Sequence, residues 1–357
     1  VISTYLGKVS KVISKREKIS VVEISTKNEK ALAINYDELT GEVKEGDFVY
    51  VNKTARLLNL GTGGYDFIVA NLRYEKFDNI KKGHIMKLRY TPFQINLLTM
   101  EEEKSPYHKE FDKFRNLEGF PVIVGELHSM VAPAALVLKK LAPDVKITYI
   151  MTDGGALPLY FSNAIYELKK IGAIDNTITI GHAFGGDYEC VNIYTALIAS
   201  KEILNSDVAI VAMGPGIVGT GTKYGFSGVE QAHIIDAVNK MGGKPVLIPR
   251  ISFKDARGRH QGISHHTVTV LELCYSSCVI TFPSMDSEKE ELVKRQINSN
   301  AVFSRFDIRF INACDTAKYL EEAGFYVTTM GRSYEEEKEF FNACGAAAIY
   351  VASELLN

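Results

Sequence analysis

No apolar run in this chain approaches the roughly 18 to 20 residues that a membrane-spanning helix needs; the longest, such as Met130 to Leu138, stop far short of it. The opening "VISTYLGKVSK" has no signal-peptide core. Both absences point to a cytoplasmic protein. Cysteine is sparse and odd in number: Cys190, Cys274, Cys278, Cys314 and Cys344 are scattered, which argues against a disulfide framework. Cys274 and Cys278 form a C-x3-C pair with no second pair to match, so they read as small core residues in preference to zinc ligands. Neither sign of charge dominates. The formal net charge is -2 and no long single-sign block occurs, so neither nucleic acid nor an anionic membrane surface is an expected partner. Repeats of solenoid length are also missing, which excludes stacked-repeat architectures.

What the chain does have is length and hydrophobicity: 357 residues, 46% hydrophobic and 24% charged, enough for at least one large core and about two domains. Up to Leu98 it offers short β-rich runs, "ISVVEIS", "KALAINY", "DFVYVN", "YDFIVANL" and "HIMKLRY", separated by turn residues. Gly46-Asp47 marks one turn, and Gly61, Gly63 and Gly64 mark another. This pattern predicts a small N-terminal antiparallel β-barrel over residues 1–98, structural or oligomerising in role. Residues 99–118 are polar, with charges of both signs, and read as a linker.

From residue 119 to 357 the rhythm changes. Apolar runs such as "FPVIV", "VKITYIM", "NTITI", "DVAIVAM", "KPVLIP" and "CVITF" alternate with segments of helical period, and a strand-like "FYVTTM" precedes a closing helix from about Tyr334 to Leu356. Alternation of this kind predicts an α/β domain with a mostly parallel, Rossmann-like sheet and helices on both faces. Five of the runs end in polar, glycine-rich loops: "GELHS", "TDGG", "GHAFGGDYE", "GPGIVGTGTKYGFSG" and "RISFKDARGRHQGISHH". Parallel strands would place all five on one edge, where such sheets bind ligands. Of the six histidines from His128 onward, all but the mid-helix His233 lie in these loops.

The segments "GELHSM", "MTDGGALP", "GHAFGGDYE", "MGPGIVGTGT", "GFSGVEQ" and "RHQGISHHT" resemble, along nearly the whole chain, an uncharacterised bacterial family known as a domain of unknown function, number 3866. That resemblance implies no reaction and no catalytic residues, so chemistry must come from the residues themselves.

Three chemistries are on offer. The loop carrying Gly214, Gly216, Gly219, Thr220, Gly221 and Thr222 supplies backbone amides and hydroxyls suited to a phosphate or carboxylate, the alternative being tight structural turns. It satisfies G-x-G-x-x-G, but a further glycine stretch follows where a dinucleotide fingerprint requires a helix, and Asp236 falls inside a helix. P-loop and nucleophile-elbow spacings are not met. Asp153, His182, Asp187, Glu189 and His260 form a mixed imidazole and carboxylate set suited to zinc, manganese or iron. His265 and His266 would assist, with one of the two facing the site. Arg250, Arg257 and Arg259 would clamp an anion bidentately or else pair with Asp255 or Glu230. Glu126 and His128, two residues apart, could serve as base and acid.

The expectation is a cytoplasmic enzyme of hydrolase or transferase type, acid/base or metal-assisted, acting on a small anionic substrate with phosphate as the favoured charge carrier. His182, Asp187 and either His265 or His266 would do the chemistry. The competing reading is a non-catalytic sensor of a nucleotide or metabolite signalling through the barrel. A homodimer fits either, with nothing specifying one.

Overall fold

The computed structural model describes residues 2–60 and 63–356, and the chain divides into two compact units, Val1–Leu98 and Thr99–Asn357. In the first, β1 (Thr4–Arg16), β2 (Ile19–Ser25), β3 (Lys30–Tyr36), β4 (Phe48–Asn52) and β5 (Asp66–Asn71) close into a barrel in the order β1-β2-β3-β5-β4. Strict alternation builds it: in β4, Val49 and Val51 point inward while Phe48 and Tyr50 face out. Val9, Val22, Ile24, Ala33 and Ile68 complete the filling. β1 pairs with both β2 and β4, and register breaks at Val9/Lys11 and Val12/Ser14 bend it around the corner. One feature departs from the antiparallel expectation. β3 and β5 run parallel, because the chain between them leaves the wall to form β4 on the far side of β5. Gly46, Gly63 and Gly64 all adopt positive φ, as their turns require; Gly61 lies outside the described residues. A short ribbon, β6 (Ile85–Lys87) with β7 (Ile95–Leu97), follows the barrel.

The second unit is built on eight strands: β8 (Pro121–Val124), β9 (Ile147–Thr152), β10 (Asn176–Thr179), β11 (Tyr188–Glu189), β12 (Val208–Met213), β13 (Lys244–Leu247), β16 (Val279–Pro283) and β17 (Asp307–Ile311). Their spatial order is β11-β10-β9-β12-β8-β13-β16-β17, and each of their pairings is parallel. β8, β9, β12 and β16 are buried at every position, which is why they read as unbroken apolar runs. Helices Val131–Leu141, Thr316–Glu322 and Lys338–Glu354 pack on one another in one layer, and Ile193–Ile198, Glu230–Lys240 and His265–Leu273 form another.

Two expectations need correction here. The polar stretch 99–118 is part of this unit and not a free connector: Met100 and Leu117 are buried in its core, and their amides donate to the carbonyls of Glu189 and Met241 at 2.8 Å each. Its polarity comes from the exposed residues between those anchors. "FYVTTM" adds no strand to the main sheet. Only Thr328–Thr329 is extended there (β18), paired with Arg332–Ser333 (β19), and Met330 and Gly331 at the tip both have positive φ, which makes it a tight hairpin. Between β13 and β16 lies a further ribbon, β14 (Ile251–Ser252) with β15 (Gly262–Ile263), antiparallel. Among the described residues, no helix is long and apolar enough to cross a membrane.

Connectivity fixes where a ligand is best received. The chain leaves β8 for β9, passing over β12, and leaves β12 for β13, passing over β8. Right-handed crossovers in opposite directions place their helices on opposite faces and open a crevice between the carboxyl ends of β8 and β12.

Candidate functional site

Glu126 stands two residues beyond the end of β8, at this crevice, and is 1% exposed. Its Oε1 accepts hydrogen bonds from Arg250 Nη1 at 3.0 Å and from His266 Nδ1 at 2.5 Å; Arg250 Nη1 also lies 3.1 Å from that ring nitrogen. Burial works to raise the Glu126 carboxyl's pKa, but His266 and the Arg250 guanidinium more than offset it and hold the group below its ordinary value. Its other oxygen, Oε2, is buried and has no partner among the described residues. The close fit requires Gly228, where a Cβ would come within 2.5 Å of Glu126 Cγ.

The stretch "RGRHQGISHH" is therefore no loose surface loop. Arg250 precedes β14, residues 253–261 form the tip of the β14–β15 ribbon, and Ser264 caps helix His265–Leu273 by accepting from the His266 amide at 3.2 Å. The same Ser264 hydroxyl lies 2.7 Å from His260 Nδ1. The result gathers three imidazoles: each of His260, His265 and His266 offers a ring nitrogen within 4.8 Å of the others', the one such group of three His, Cys, Asp or Glu side chains among the described residues. Both adjacent histidines join it, against the expectation that only one would. His260, brought back by the ribbon, approaches them from the other side, with ring centroids 5.0 Å from each. The His266 ring lies flat on Phe226, at 3.7 Å and 4°. Burial lowers the pKa of His260 to about 3, with Arg250 and Arg257 adding to it. His265 is lowered too, by burial and then by His266 and Arg259. These two rings are neutral near pH 7, as a metal ligand must be. His265 Nε2 is buried and has no hydrogen-bond partner among the described residues.

The arginines divide. Arg250 pairs with Glu126, not with Asp255 or Glu230; Glu230 instead takes a 2.5 Å hydrogen bond from Thr152, and burial followed by the nearby Asp153 raises its pKa. Arg257 is clamped by Asp255 through Nε at 2.8 Å and Nη2 at 2.6 Å. Arg259 is exposed and makes no hydrogen bond or ion pair among the described residues. Its guanidinium lies against Gly221, whose φ is +80° and where a Cβ would stand 3.5 Å from Nη2. The glycine loop is a small hairpin: Gly219 bridges Phe226, the Thr220 amide donates to Gly225 O at 2.8 Å, and the Ser227 amide to Val218 O at 2.9 Å. Thr220 and Thr222 hydroxyls lie 2.9 Å apart, Gly214 packs against Met151 and Leu157, and Gly216 turns at φ +112°. Several of its polar groups thus serve its own folding, and no α-helix follows β12 until Glu230.

The other expected ligands do not join the histidine group. Asp187 accepts from the Thr177 amide and hydroxyl at 2.9 and 2.8 Å and pairs with Lys169. Glu189 accepts from Thr179 Oγ1 and the Gly185 amide, each at 2.7 Å. Both stitch β10 to β11, a structural task that sequence spacing alone resembled to metal ligation. Asp153, with a buried unpartnered Oδ1, packs against Gly181 beside His182 in the loops after β9 and β10. Nor do Glu126 and His128 work as a pair. His128 turns the other way, its Nε2 lying 2.7 Å from Ser162 Oγ and its Nδ1 3.2 Å from the Tyr149 hydroxyl, and burial lowers its pKa to about 4. Sequence reasoning missed Phe226 as a site residue and offered Ser264 only as a possible nucleophile with no base at a diagnostic spacing. The cap position of Ser264 ahead of a helical run was a usable signal; nothing local marked Phe226.

Beside the histidines, a cleft of about 490 Å³ is lined by Lys223, Arg259, Gln261, His265, Thr269 and Glu272, among others, with Lys223 tied to Glu272 at 2.6 Å. Comparison with curated proteins finds no match. The family described as "Protein of unknown function (DUF3866)" matches residues 32–348. That match takes in most of the barrel and every residue of the histidine site, and the chain belongs to this family.

Proposed function

We propose that the protein is a cytoplasmic, metal-dependent hydrolase or transferase acting on a small anionic substrate. His260, His265 and His266 would hold a zinc, manganese or iron ion, and Arg259 would receive the anion. The observation that carries this reading is the convergence of three imidazole nitrogens within 4.8 Å, within the family-matched residues and at the edge of a parallel sheet where ligands bind. Three imidazole ligands suit these metals and leave coordination positions open.

The surroundings support it. With its Nδ1 proton donated to Glu126, His266 would keep Nε2 for the metal, the carboxylate-to-histidine arrangement that orients ligand rings and raises their basicity. His260, with its Nδ1 proton on Ser264, does the same. His265 Nε2 is already without a competing partner. A bound ion would supply a water of lowered pKa and a Lewis acid for a phosphoryl or carbonyl oxygen. Arg259, without a hydrogen bond or ion pair among the described residues, would fix the substrate's charge, and Arg250 keeps Glu126 ionised from behind.

The test is metal analysis of the purified, untagged protein beside His260→Ala and His266→Ala. Near-stoichiometric zinc, manganese or iron that both variants lose is the expected result. A folded protein that takes up none of the three ions after supplementation overturns the proposal. A screen of phosphorylated metabolites with the loaded protein would then identify the substrate.

A further inference from the structure

The whole-chain net charge of -2 conceals an uneven distribution. Residues 1–98 hold sixteen lysines and arginines against eleven aspartates and glutamates, so the first unit is basic. On its outer wall, β1 and β4 pair Leu6 with Tyr50 and Lys8 with Phe48. Every one of these side chains points away from the core: Leu6 is 48% exposed, Phe48 52% and Tyr50 44%. Lys8 Nζ stands 5.8 Å from the centre of the Phe48 ring; Lys11 and Lys15, both exposed, lie further along β1 past the end of β4, Lys11 opposite Glu23 and Lys15 paired with Glu42 at 3.1 Å. Neither Lys8 nor Lys11 has a salt bridge among the described residues. Two bare aromatic rings on a strand of a closed barrel are costly in water unless something covers them. Because the barrel is closed, a peptide cannot add as an extra strand to this wall.

We propose that this face of the barrel binds single-stranded nucleic acid, with bases stacked on Phe48 and Tyr50 and the phosphates following Lys8 and Lys11. The chemistry matches the geometry. Successive bases need flat apolar platforms at intervals, and Phe48 and Tyr50, two residues apart on one strand, point to the same side. A polyanionic backbone needs cations near those platforms, and the neighbouring strand β1 sets Lys8 opposite Phe48 with Lys11 one step beyond it. The excess of basic residues selects a polyanion over a neutral partner, and the exposed rings select unpaired bases over a duplex, whose bases are already stacked. Binding of this kind reads no particular sequence. It is independent of the histidine site and stands or falls without it.

The experiment is fluorescence anisotropy of short labelled oligo(dT), oligo(U) and a duplex against the intact chain, at low and at physiological salt. Expected are tighter binding to one or both single strands than to the duplex and affinity that falls with salt. Phe48→Ala and Tyr50→Ala should each weaken binding on the order of tenfold, with unchanged circular dichroism because both side chains are outside the core. Lys8→Ala should weaken binding and flatten the salt dependence. The oligo(dT) and oligo(U) arms distinguish DNA from RNA. No binding at low salt, or binding that survives both aromatic substitutions, overturns the proposal. So does a Phe48→Ala variant that turns a dimer into a monomer in sedimentation while leaving oligonucleotide binding intact, since the face would then join two copies of the chain.

Discussion

The imidazole of His266 lies flat on the ring of Phe226, with centroids 3.7 Å apart and planes within 4° of parallel. One residue belongs to the glycine hairpin after β12 and the other to the helix after β15, so the stack ties two loops together at a single ring. It also leaves that ring no freedom to tilt. Phe226→Leu keeps much of the apolar volume and removes the flat surface. Stacked pairs contribute about 0.5–1.5 kcal/mol, so the metal affinity proposed for this site should fall roughly two- to tenfold. Competition with a chromophoric chelator measures it, and an unchanged affinity would show that the stack does not hold the ring.

Glu126 has a larger effect, because it serves His266 and Arg250 at once from a fully buried position. Glu126→Ala removes the carboxylate and leaves a buried guanidinium without its counter-charge. Breaking a buried pair from one side costs about 3–5 kcal/mol, read as a shift in the urea midpoint. Glu126→Gln keeps the shape and an acceptor oxygen and should unfold later than the alanine variant. It should still lose about 10- to 100-fold in metal affinity, the cost of weakening a partner behind a ligand histidine. Equal stability of Glu126→Ala and the parent would contradict the pairing.

That pairing shows where the sequence stops being legible. Glu126 is 124 residues from Arg250 and 140 from His266, and no local pattern links them. The barrel strands were readable because half-buried strands alternate, and the sheet strands because burial on both faces leaves unbroken apolar runs. The parallel β3–β5 contact was not, since a crossover leaves no mark on either strand. Among the site residues, crowding of His260, His265 and His266 in one short segment was visible. Their separation from Asp187 and Glu189 was not. Those carboxylates bind Thr177, Thr179 and Lys169 on neighbouring elements, and a polar group used for stitching looks the same in sequence as one used for ligation. Whole-chain charge likewise averages two units that differ, the first holding sixteen lysines and arginines against eleven aspartates and glutamates.

Acid should weaken the fold through His128. Burial holds its folded pKa at about 4, below the ordinary 6.5, so the unfolded chain takes up the proton first. The stability tied to neutral His128 is fully present above about pH 6.5 and is lost progressively as pH falls toward 4. His128→Gln should therefore be less stable at pH 7, through the lost contact with Ser162, and show a flatter slope of melting temperature between pH 7 and 4. Parallel slopes for the two proteins would refute this assignment.

Arg257 and Arg259 are neighbours in sequence with opposite expected behaviour. Arg257 neutralises Asp255, a carboxylate 3% exposed whose pKa it holds well below the usual range. Removing it should lower stability measurably, with Arg332 at 3.8 Å too distant to replace the bidentate clamp. Arg259 is exposed and makes no ion pair among the described residues, so Arg259→Ala should change stability within the small range of ordinary surface substitutions, about 0.5 kcal/mol. Binding should show the reverse. Inorganic phosphate, followed by calorimetry on the metal-loaded protein, should bind Arg259→Ala about tenfold more weakly, while Arg257→Ala, where folded, keeps its affinity. A common loss in both variants would mean that the ribbon tip as a whole, not the free guanidinium, receives the anion, and equal affinity in all three proteins would move the anion site away from this cleft.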